Sequence, residues 1–518
     1  MAVSTSVKSI QDEMRKDPGT GSDVNRISQL AWIFFLKVWD EREKELEIFE
    51  SNYVSPLMDA AWEVAGSRST QDDLRWRAWA ADAEGATGEE LLTFVNGTLF
   101  PALKNLELGP KVQVVDEESA AADRLRRRKA LLREIFSDNF QYMKNGVQLR
   151  KVLNRAEAMV SVNDLKSRHL FGDVYEKFLQ DLQSAGNAGE YYTPRAVTTF
   201  AVEMTNPRLG ESVLDPACGT GGFLTSAIEH IRAQDVKTGA DERTLEASIH
   251  GVEKMGLPHL LCMTNAVLHG VDLPTKIVHG NTLARPIKDI EDDDQVNVVV
   301  TNPPFGGVEE DGIETNFPKV FQTKETATLF LAMIVELLTD GGRCAIVLPD
   351  GTLFGDGVLE RVKKNLLETC DLHTIVRLPK GVFAPYTSIN TNVLFFEKGR
   401  PTEAVWYYEQ PLPENMQAYG KTRPFPADGL KDCKEWWGAD PSKREETERA
   451  WRVPVEDIVA RGYNLDFKNP NAKEEEVPDP ETLLAQFIED RHAAIEARRS
   501  LRNTLSSAIR DAAAGKFS

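Results

Sequence analysis

The stretch "DPACGTGGF", Asp215 to Phe223, decides the fold, because it places three glycines among four residues directly after the apolar pair Val213-Leu214. A strand, a glycine turn and a helix form the ligand-binding corner of doubly wound α/β sheets, where bare backbone approaches a ligand. The glycines lack the G-x-G-x-x-G spacing of dinucleotide sites, and no GxxxxGK[ST] phosphate loop occurs in the chain. A carboxylate at the strand tip repels pyrophosphate, so Asp215 favours a ligand with positive charge. A purely structural turn is the alternative.

Further apolar runs rich in Val and Ile follow this stretch and alternate with helical patterns. They lie at 248–253, 275–281, 296–305, 341–349, 372–379 and 392–398. Helices are predicted between the last of them, at Thr326–Leu338 and Gly357–Thr369. Such alternation predicts a mostly parallel sheet with crossover helices.

The segments on either side of this α/β region have different sequence patterns. From Ile27 to about Leu182, apolar residues recur at spacings of three and four, which predicts an α-helical N-terminal domain over residues 1–182. A small, polar linker at 183–190 leads into the sheet domain, 183–470, whose Pro-rich part from about Gly399 is predicted to form ordered loops packed on the domain. Residues 471–518 are predicted as a C-terminal helical tail, with its helix from about Glu481 to Ala514.

Composition limits the classes of function. The net charge of −20 argues against a protein that wraps a nucleic acid duplex alone, because phosphate neutralisation needs Lys and Arg. Residues 121–180 nevertheless carry 13 Lys or Arg against 7 Asp or Glu, which fits a solvated helix face, a phosphate-facing surface or a contact with an acidic partner. Five scattered cysteines predict no zinc site and no disulfide framework, and they fit a cytoplasmic location. The apolar run 30–39 is too short to span a bilayer, so no membrane segment is predicted.

Two later strand ends add polar side chains to the same edge of the predicted sheet. Glu253 ends the run "SIHGVE", where doubly wound folds place an acidic residue that accepts both ribose hydroxyls. Asn281 follows the next strand, where a side-chain amide can meet the edge of an adenine. Each residue could instead be an ordinary solvated polar group at a strand end.

The tetrapeptide "NPPF", Asn302 to Phe305, follows the buried run "VNVVVT" and carries the chemistry. Successive prolines, Pro303 and Pro304, make a rigid turn and leave carbonyl acceptors unpaired. Together with the side-chain oxygen of Asn302 they match the two hydrogens of an exocyclic amine, and Phe305 can stack on the attached ring. Holding both hydrogens frees the nitrogen lone pair for in-line attack on a sulfonium methyl. A proline-stiffened turn without chemistry is the alternative.

These motifs, with "GEYYTPRAV" upstream, resemble the DNA amino-methyltransferases that use S-adenosylmethionine. The N-terminal helical region, "GGRCAIVLPDGTLF", "TSINTNVLFFEKG" and "RGYNLD" (461–466) are similar to the modification subunit of type I restriction-modification systems. The resemblance implies that Glu190, Tyr191, Tyr192, Thr193, Pro194 and Arg195 close over the methionine end of the cofactor. It also implies that Asp215, Gly219, Thr220, Gly221 and Gly222 form the floor, that Glu253 holds the ribose and that Asn302–Phe305 receive the base. Such enzymes more often have Asp at the position of Asn281.

The resemblance extends to substrate and partners. Asn at the first position of the tetrapeptide is more similar to adenine-N6 than to cytosine-N4 enzymes, and the target base must be flipped out of the double-stranded DNA. The chain offers no insertion large enough for target recognition, so a separate specificity subunit, held by two copies of this chain, is implied. Cleavage is assigned to a restriction subunit. Alternative functions are methylation of protein glutamine or ribosomal RNA, and a scaffold with an inactive cofactor site.

Overall fold

The computed structural model describes residues 2–50, 53–58, 73–159, 175, 179, 192–471 and 480–513. Backbone contacts divide the chain into two compact units, Met1–Asn469 and Pro470–Ser518. The first unit contains both the N-terminal helices and the sheet. The predicted linker at 183–190 lies outside the described residues.

The N-terminal part of the first unit is α-helical, as predicted from its apolar periodicity. Its helices are α1 (Ala2–Met14), α2 (Asp23–Phe49), α3 (Trp76–Trp79), α4 (Gly88–Phe94), α5 (Phe100–Lys104), α6 (Glu117–Ser137) and α7 (Gly146–Met159). The long helix α2 begins at the Ser22 cap, whose side chain accepts the Asn25 N–H. Trp32, Phe34 and Phe35 of α2 are fully buried, so this helix forms the centre of the helical core. The run 30–39 thus lies in a buried part of this helix.

A single mixed sheet of nine strands forms the rest of the first unit, counting only described residues. The strands are β1 (Val213–Asp215), β2 (Ile249–Glu253), β3 (Ile277–His279), β4 (Val296–Thr301), β5 (Leu338–Pro349), β6 (Cys370–Arg377), β7 (Thr391–Lys398), β8 (Ala404–Glu409) and β9 (Ala450–Pro454). Their order is β3-β2-β1-β4-β5-β7-β6-β8-β9. The first five strands in this order pair in parallel, and β7 pairs antiparallel with both β5 and β6. The predicted doubly wound α/β class is confirmed.

Helices cover the sheet and provide the crossovers. They are α8 (Arg195–Thr205), α9 (Gly222–Asp235), α10 (Gly239–Ser248), α11 (Gly256–Leu268), α12 (Thr326–Leu337), α13 (Asp350–Phe354), α14 (Val358–Thr369), α15 (Lys431–Trp437) and α16 (Val455–Ala460). The two helices predicted from sequence, α12 and α14, have the expected extent to within one residue. Because β4 is covered on both faces, Val298, Val299 and Val300 are fully buried, which explains its uninterrupted apolar run.

The prediction of loops beyond about Gly399 is wrong where β8 and β9 extend the sheet and where α15 and α16 form. These strands pair antiparallel with each other, and Tyr407 stacks on Trp451 with ring centroids 5.3 Å apart. Trp406, Tyr407, Tyr408 and Trp451 are therefore strand residues at the far edge of the sheet, not loop residues.

The second unit is described as one helix, α17 (Pro480–Ala513), which confirms that the tail is helical. The large apolar side chains that the structure describes in this helix are about half exposed or more. They are Leu484, Phe487, Ile488, Ile495, Leu501 and Leu505. None of the described helices has the length and apolarity needed to cross a bilayer.

Candidate active site at the carboxyl ends of the strands

Parallel pairing brings the predicted site residues to one edge of the sheet. Asp215 ends β1, Glu253 ends β2, and Asn302 follows β4, and the register aligns these ends because β1 lies between β2 and β4. A cavity of about 420 Å³ opens at this edge. The fold therefore creates a binding site where the strand order reverses, as doubly wound sheets generally do.

The residues singled out from the sequence are distributed between this cavity and its surroundings. Those that line the cavity are Thr193, Asp215, Gly219, Thr220, Gly222, Glu253, Asn281, Asn302 and Pro304. Those that line an adjoining narrow cleft are Tyr192, Asn302, Pro303, Pro304 and Phe305. Neither set of lining residues includes Pro194, Arg195 or Gly221. Glu190 and Tyr191 lie outside the described residues.

Asp215 is a buried carboxyl group on the cavity floor, with 1% of the residue exposed. Burial, supplemented by the negative charge of Glu253, raises the pKa of Asp215 from its ordinary value of 3.8 to about 7. One of its oxygens accepts the Ala217 N–H at 3.2 Å. A positively charged ligand would favour ionisation of this group.

Glu253 fixes the shape of the glycine loop. Its Oε2 accepts the Gly219 N–H at 2.9 Å and its Oε1 accepts the Met255 N–H at 2.7 Å. Burial raises the pKa of Glu253, although both backbone hydrogen bonds favour its charged form. Each carboxylate oxygen retains a further lone pair, so these contacts leave acceptor capacity for ligand hydroxyls.

Packing inside the protein requires glycine at position 221. Gly221 has φ = 81° and caps α9, and a Cβ there would lie 2.7 Å from the Sγ of Cys262. Gly219 also has positive φ, 52°. The loop is thus glycine-rich partly because its turn is left-handed and partly because α11 packs closely behind it.

Arg195 makes an ion pair at the surface of the domain. Its guanidinium contacts the carboxylate of Glu229 on α9, and Arg195 begins α8. Pro194 is the residue that caps this helix. These two residues fix the start of α8 next to Thr193, which does line the cavity.

Asn302 lies where the cavity meets the cleft, since it lines both. Its Nδ2 donates to the hydroxyl of Thr193 at 3.0 Å, which sets the orientation of the amide. Among the described residues, its buried Oδ1 has no hydrogen-bond partner. An unpaired buried acceptor is costly, so this oxygen is suited to a donor brought by a ligand.

Comparison with known proteins relates this geometry to a family. Residues 3–155 match the family "HsdM N-terminal domain", and residues 166–479 match "N-6 DNA Methylase". The chain is 50% identical over 512 residues to the methylase subunit of the type I restriction enzyme EcoEI of Escherichia coli, which covers 98% of this chain and 99% of the relative. It belongs to the N-6 DNA methylases of type I restriction enzymes.

Solved structures support the same assignment. A modification subunit of a type I restriction enzyme from Vibrio vulnificus YJ016 superposes with a TM-score of 0.75 at 40% identity, covering 91% of this chain and 97% of that one. A chain from a study of complex assembly and conformational transition of the type I restriction-modification system gives a TM-score of 0.74 at 34% identity, covering 98% and 99%. The activity of this methylase is therefore methylation of the N6 amino group of adenine in DNA.

The cleft contains two aromatic residues that the sequence analysis did not single out. Phe383 and Tyr386 come from the loop after β6 and line the cleft with Phe305. The rings of Phe305 and Phe383 meet edge to face, with centroids 5.5 Å apart. The cleft holds only about 10 Å³, which is less than the volume of a nucleobase. The sequence feature that could have identified Phe383 and Tyr386 is the presence of aromatic residues in a Gly- and Pro-containing loop directly after a strand.

Metal ligands are not grouped anywhere in the described part of the chain: no three His, Cys, Asp or Glu side chains there could hold an ion together. The cysteines are all free and buried.

Proposed function

We propose that the cavity binds S-adenosylmethionine and that the cleft takes an adenine flipped out of duplex DNA. The charged groups of the lining fit such a cofactor. Three carboxylates, of Asp215, Glu253 and Glu309, outnumber the single ammonium group of Lys254 there. An acidic lining favours a ligand that carries positive charge and hydroxyl donors. When bound, the cofactor supplies an electrophilic methyl group on positively charged sulfur.

The observation that carries this proposal is the unpaired Oδ1 of Asn302 at the junction of cavity and cleft. An adenine amine entering from the cleft would donate one hydrogen to this oxygen and the other to a carbonyl of the Pro303-Pro304 turn. Holding both hydrogens on one side makes the nitrogen lone pair available towards the cavity. Phe305 stacks on the base, an interaction worth roughly 1–3 kcal/mol.

The remaining assignments are part of the same proposal. Glu190, Tyr191, Tyr192, Thr193, Pro194 and Arg195 close over the methionine end of the cofactor. Asp215, Gly219, Thr220, Gly221 and Gly222 form the floor. Glu253 holds the ribose, and Asn281 lies at the adenine.

We further propose that this methylase works within a cytoplasmic complex. Residues 1–182 form the helical domain, 183–470 the catalytic domain and 471–518 the tail that docks on a specificity subunit, with two copies of the chain per specificity subunit. A restriction subunit completes the enzyme and performs cleavage. The net charge of −20 supports delegation of DNA reading, and the exposed apolar residues of α17 support docking of the tail.

Mass spectrometry of nucleosides tests the proposal. Unmethylated duplex DNA is incubated with S-adenosylmethionine and the chain, with and without the specificity subunit. We expect N6-methyladenine only when both subunits are present. Transfer to protein glutamine or to ribosomal RNA, without transfer to DNA, would contradict the proposal.

A further inference from the structure

Glu309 is a carboxylate that lines the cavity four residues after Phe305, and its side chain is only 9% exposed. The Nδ2 of Asn281 donates to its Oε2 at 3.3 Å, and the Nζ of Lys254 donates to the same oxygen at 3.3 Å. The hydroxyl of Thr326 donates to its Oε1 at 3.2 Å. Glu309 therefore lies among the residues next to the proposed adenine position.

The backbone on both sides of Glu309 is fixed. The Glu309 N–H donates to the carbonyl of Lys324 at 2.9 Å, and the Thr326 N–H donates to the carbonyl of Gly307 at 3.0 Å. A Cβ at Gly307 would lie 2.8 Å from the hydroxyl of Thr326, so glycine permits this close pairing. The carboxylate is thus held in place by backbone hydrogen bonds before a ligand binds, which reduces the cost of binding.

The contacts of Glu309 leave capacity for another donor. Charge-assisted hydrogen bonds from nitrogen to a carboxylate are usually about 2.7–2.9 Å long. Those that Asn281 and Lys254 donate to Glu309 are both 3.3 Å long, and the bond from the Thr326 hydroxyl is 3.2 Å long. A carboxylate offers about four lone-pair sites. Asn281 has less hydrogen-bonding capacity left for a ligand. Its Oδ1 accepts the Leu283 N–H at 3.0 Å, and its Nδ2 already donates to Glu309.

We propose that Glu309 is a cofactor-binding residue, whose carboxylate accepts a hydrogen bond from the exocyclic amine of the cofactor's adenine. Asn281 then positions Glu309 through its amide and does not itself accept the amine. This inference rests on the proposed function of the cavity. It makes Glu309 a determinant of specificity, because a purine with an oxo group at that position would bring an acceptor against a carboxylate.

The test is a comparison of two ligands by isothermal titration calorimetry with the full chain. The ligands are S-adenosylhomocysteine and its 6-desamino analogue, which has purine in place of adenine. Glu309→Ala should weaken binding of S-adenosylhomocysteine about tenfold or more, the loss expected for a hydrogen bond to a charged group. Binding of the desamino analogue should weaken less than about twofold, because it never makes that bond. Glu309→Gln should weaken binding of S-adenosylhomocysteine less than Glu309→Ala does, since an amide oxygen still accepts a hydrogen bond.

Glu310→Ala is the matched control. Glu310 also pairs with Lys254, at 3.1 Å, but its side chain is 76% exposed and it does not line the cavity. Its replacement should leave both affinities unchanged. Equal weakening of both ligands by Glu309→Ala or Glu309→Gln would mean that Glu309 only supports the structure, and would overturn the inference. If the Ala variant does not fold, the Gln variant decides by the same criterion. Wild-type protein that binds neither ligand would instead refute the proposed cofactor site.

Discussion

Asp215 is a single residue whose ionisation should make the stability of the free methylase depend on pH. Its folded-state pKa of about 7 lies above the ordinary value of 3.8. The native state then holds a proton that the unfolded state releases, so this stabilisation is complete below about pH 4 and is lost as the pH rises through about 7. The loss is at most about 4 kcal/mol for a difference of roughly three pKa units.

We expect Asp215 to contribute a fall between pH 4 and 7 to the free energy of unfolding of the ligand-free chain, measured in urea at several pH values. In Asp215→Asn the fall should be smaller by this contribution, because the amide does not titrate. Identical pH profiles of the two proteins would show that Asp215 ionises normally.

Phe305 should stabilise the extrahelical base by stacking. With the specificity subunit present, Phe305→Ala should reduce the fluorescence gain of 2-aminopurine placed at the target adenine, and weaken DNA binding about tenfold, within the range for loss of one stacked base. Cofactor binding should change little, since Phe305 lines the cleft and not the cavity. Equal fluorescence in variant and wild type would argue against stacking.

Individual residues show where sequence reasoning succeeds and where it cannot. Asp215, Glu253 and Asn302 were predictable because each follows a recognisable apolar strand, and parallel strands bring their carboxyl ends together. Glu309 was not, because "GGVEEDG" is typical of a solvated loop and its burial depends on pairing with the segment before α12. The role of Gly221 against Cys262 also depends on a helix that is distant in sequence.

Among the structural elements, β8 and β9 were missed for a related reason. Their runs, "AVWYYE" and "AWRVP", are separated by about forty Pro- and Gly-rich residues, and nothing local indicates that they pair. Their position depends on long-range packing around Arg444, which is 9% exposed. The strands from β1 to β7, by contrast, lie in Val- and Ile-rich runs that alternate with helical patterns, which local sequence does indicate.

Arg444→Ala should therefore destabilise the edge of the sheet. Its Nη1 donates to the hydroxyl of Thr374 at 2.9 Å, its Nε donates to the carbonyl of Trp437 at 3.1 Å, and its guanidinium lies 4.3 Å from the centroid of the Trp437 ring. We expect a loss of about 2–4 kcal/mol in the free energy of unfolding. Arg449→Ala is the control, because Arg449 forms a more exposed pair with Asp432 and should cost less than about 1 kcal/mol. Similar costs for both would contradict a special role of Arg444.

Helix α17 should be needed for assembly and not for folding. It belongs to a separate compact unit and exposes apolar residues such as Phe487 and Leu501. Deletion of residues 483–518 should leave a folded chain that binds S-adenosylhomocysteine but no longer co-purifies with the specificity subunit. The pair Phe487→Ser and Leu501→Ser should have the same effect, whereas Arg498→Ser should not. A truncated chain that assembles and methylates DNA normally would refute docking through α17.

At the scale of the whole molecule, the chain is acidic and so is its substrate, DNA. Its net charge of −20 opposes independent binding to duplex DNA. A division of labour follows, in which this chain supplies cofactor and base sites and a partner supplies sequence recognition. Methyl transfer then depends on the residues Asn302–Phe305, which follow β4.

In the proposed mechanism, Asn302 holds the target amine at the junction of cavity and cleft. The most direct measurement is quantification of N6-methyladenine in duplex DNA by mass spectrometry, using Asn302→Ala assembled with the specificity subunit. Asn316→Ala serves as a control outside the cavity, since its amide binds the carbonyls of Leu283 and Ala284. We predict that Asn302→Ala binds S-adenosylhomocysteine like wild type yet forms methyladenine at least about a hundredfold more slowly, a loss of roughly 3 kcal/mol, while Asn316→Ala methylates normally. Methylation by Asn302→Ala at a rate near wild type would contradict the account.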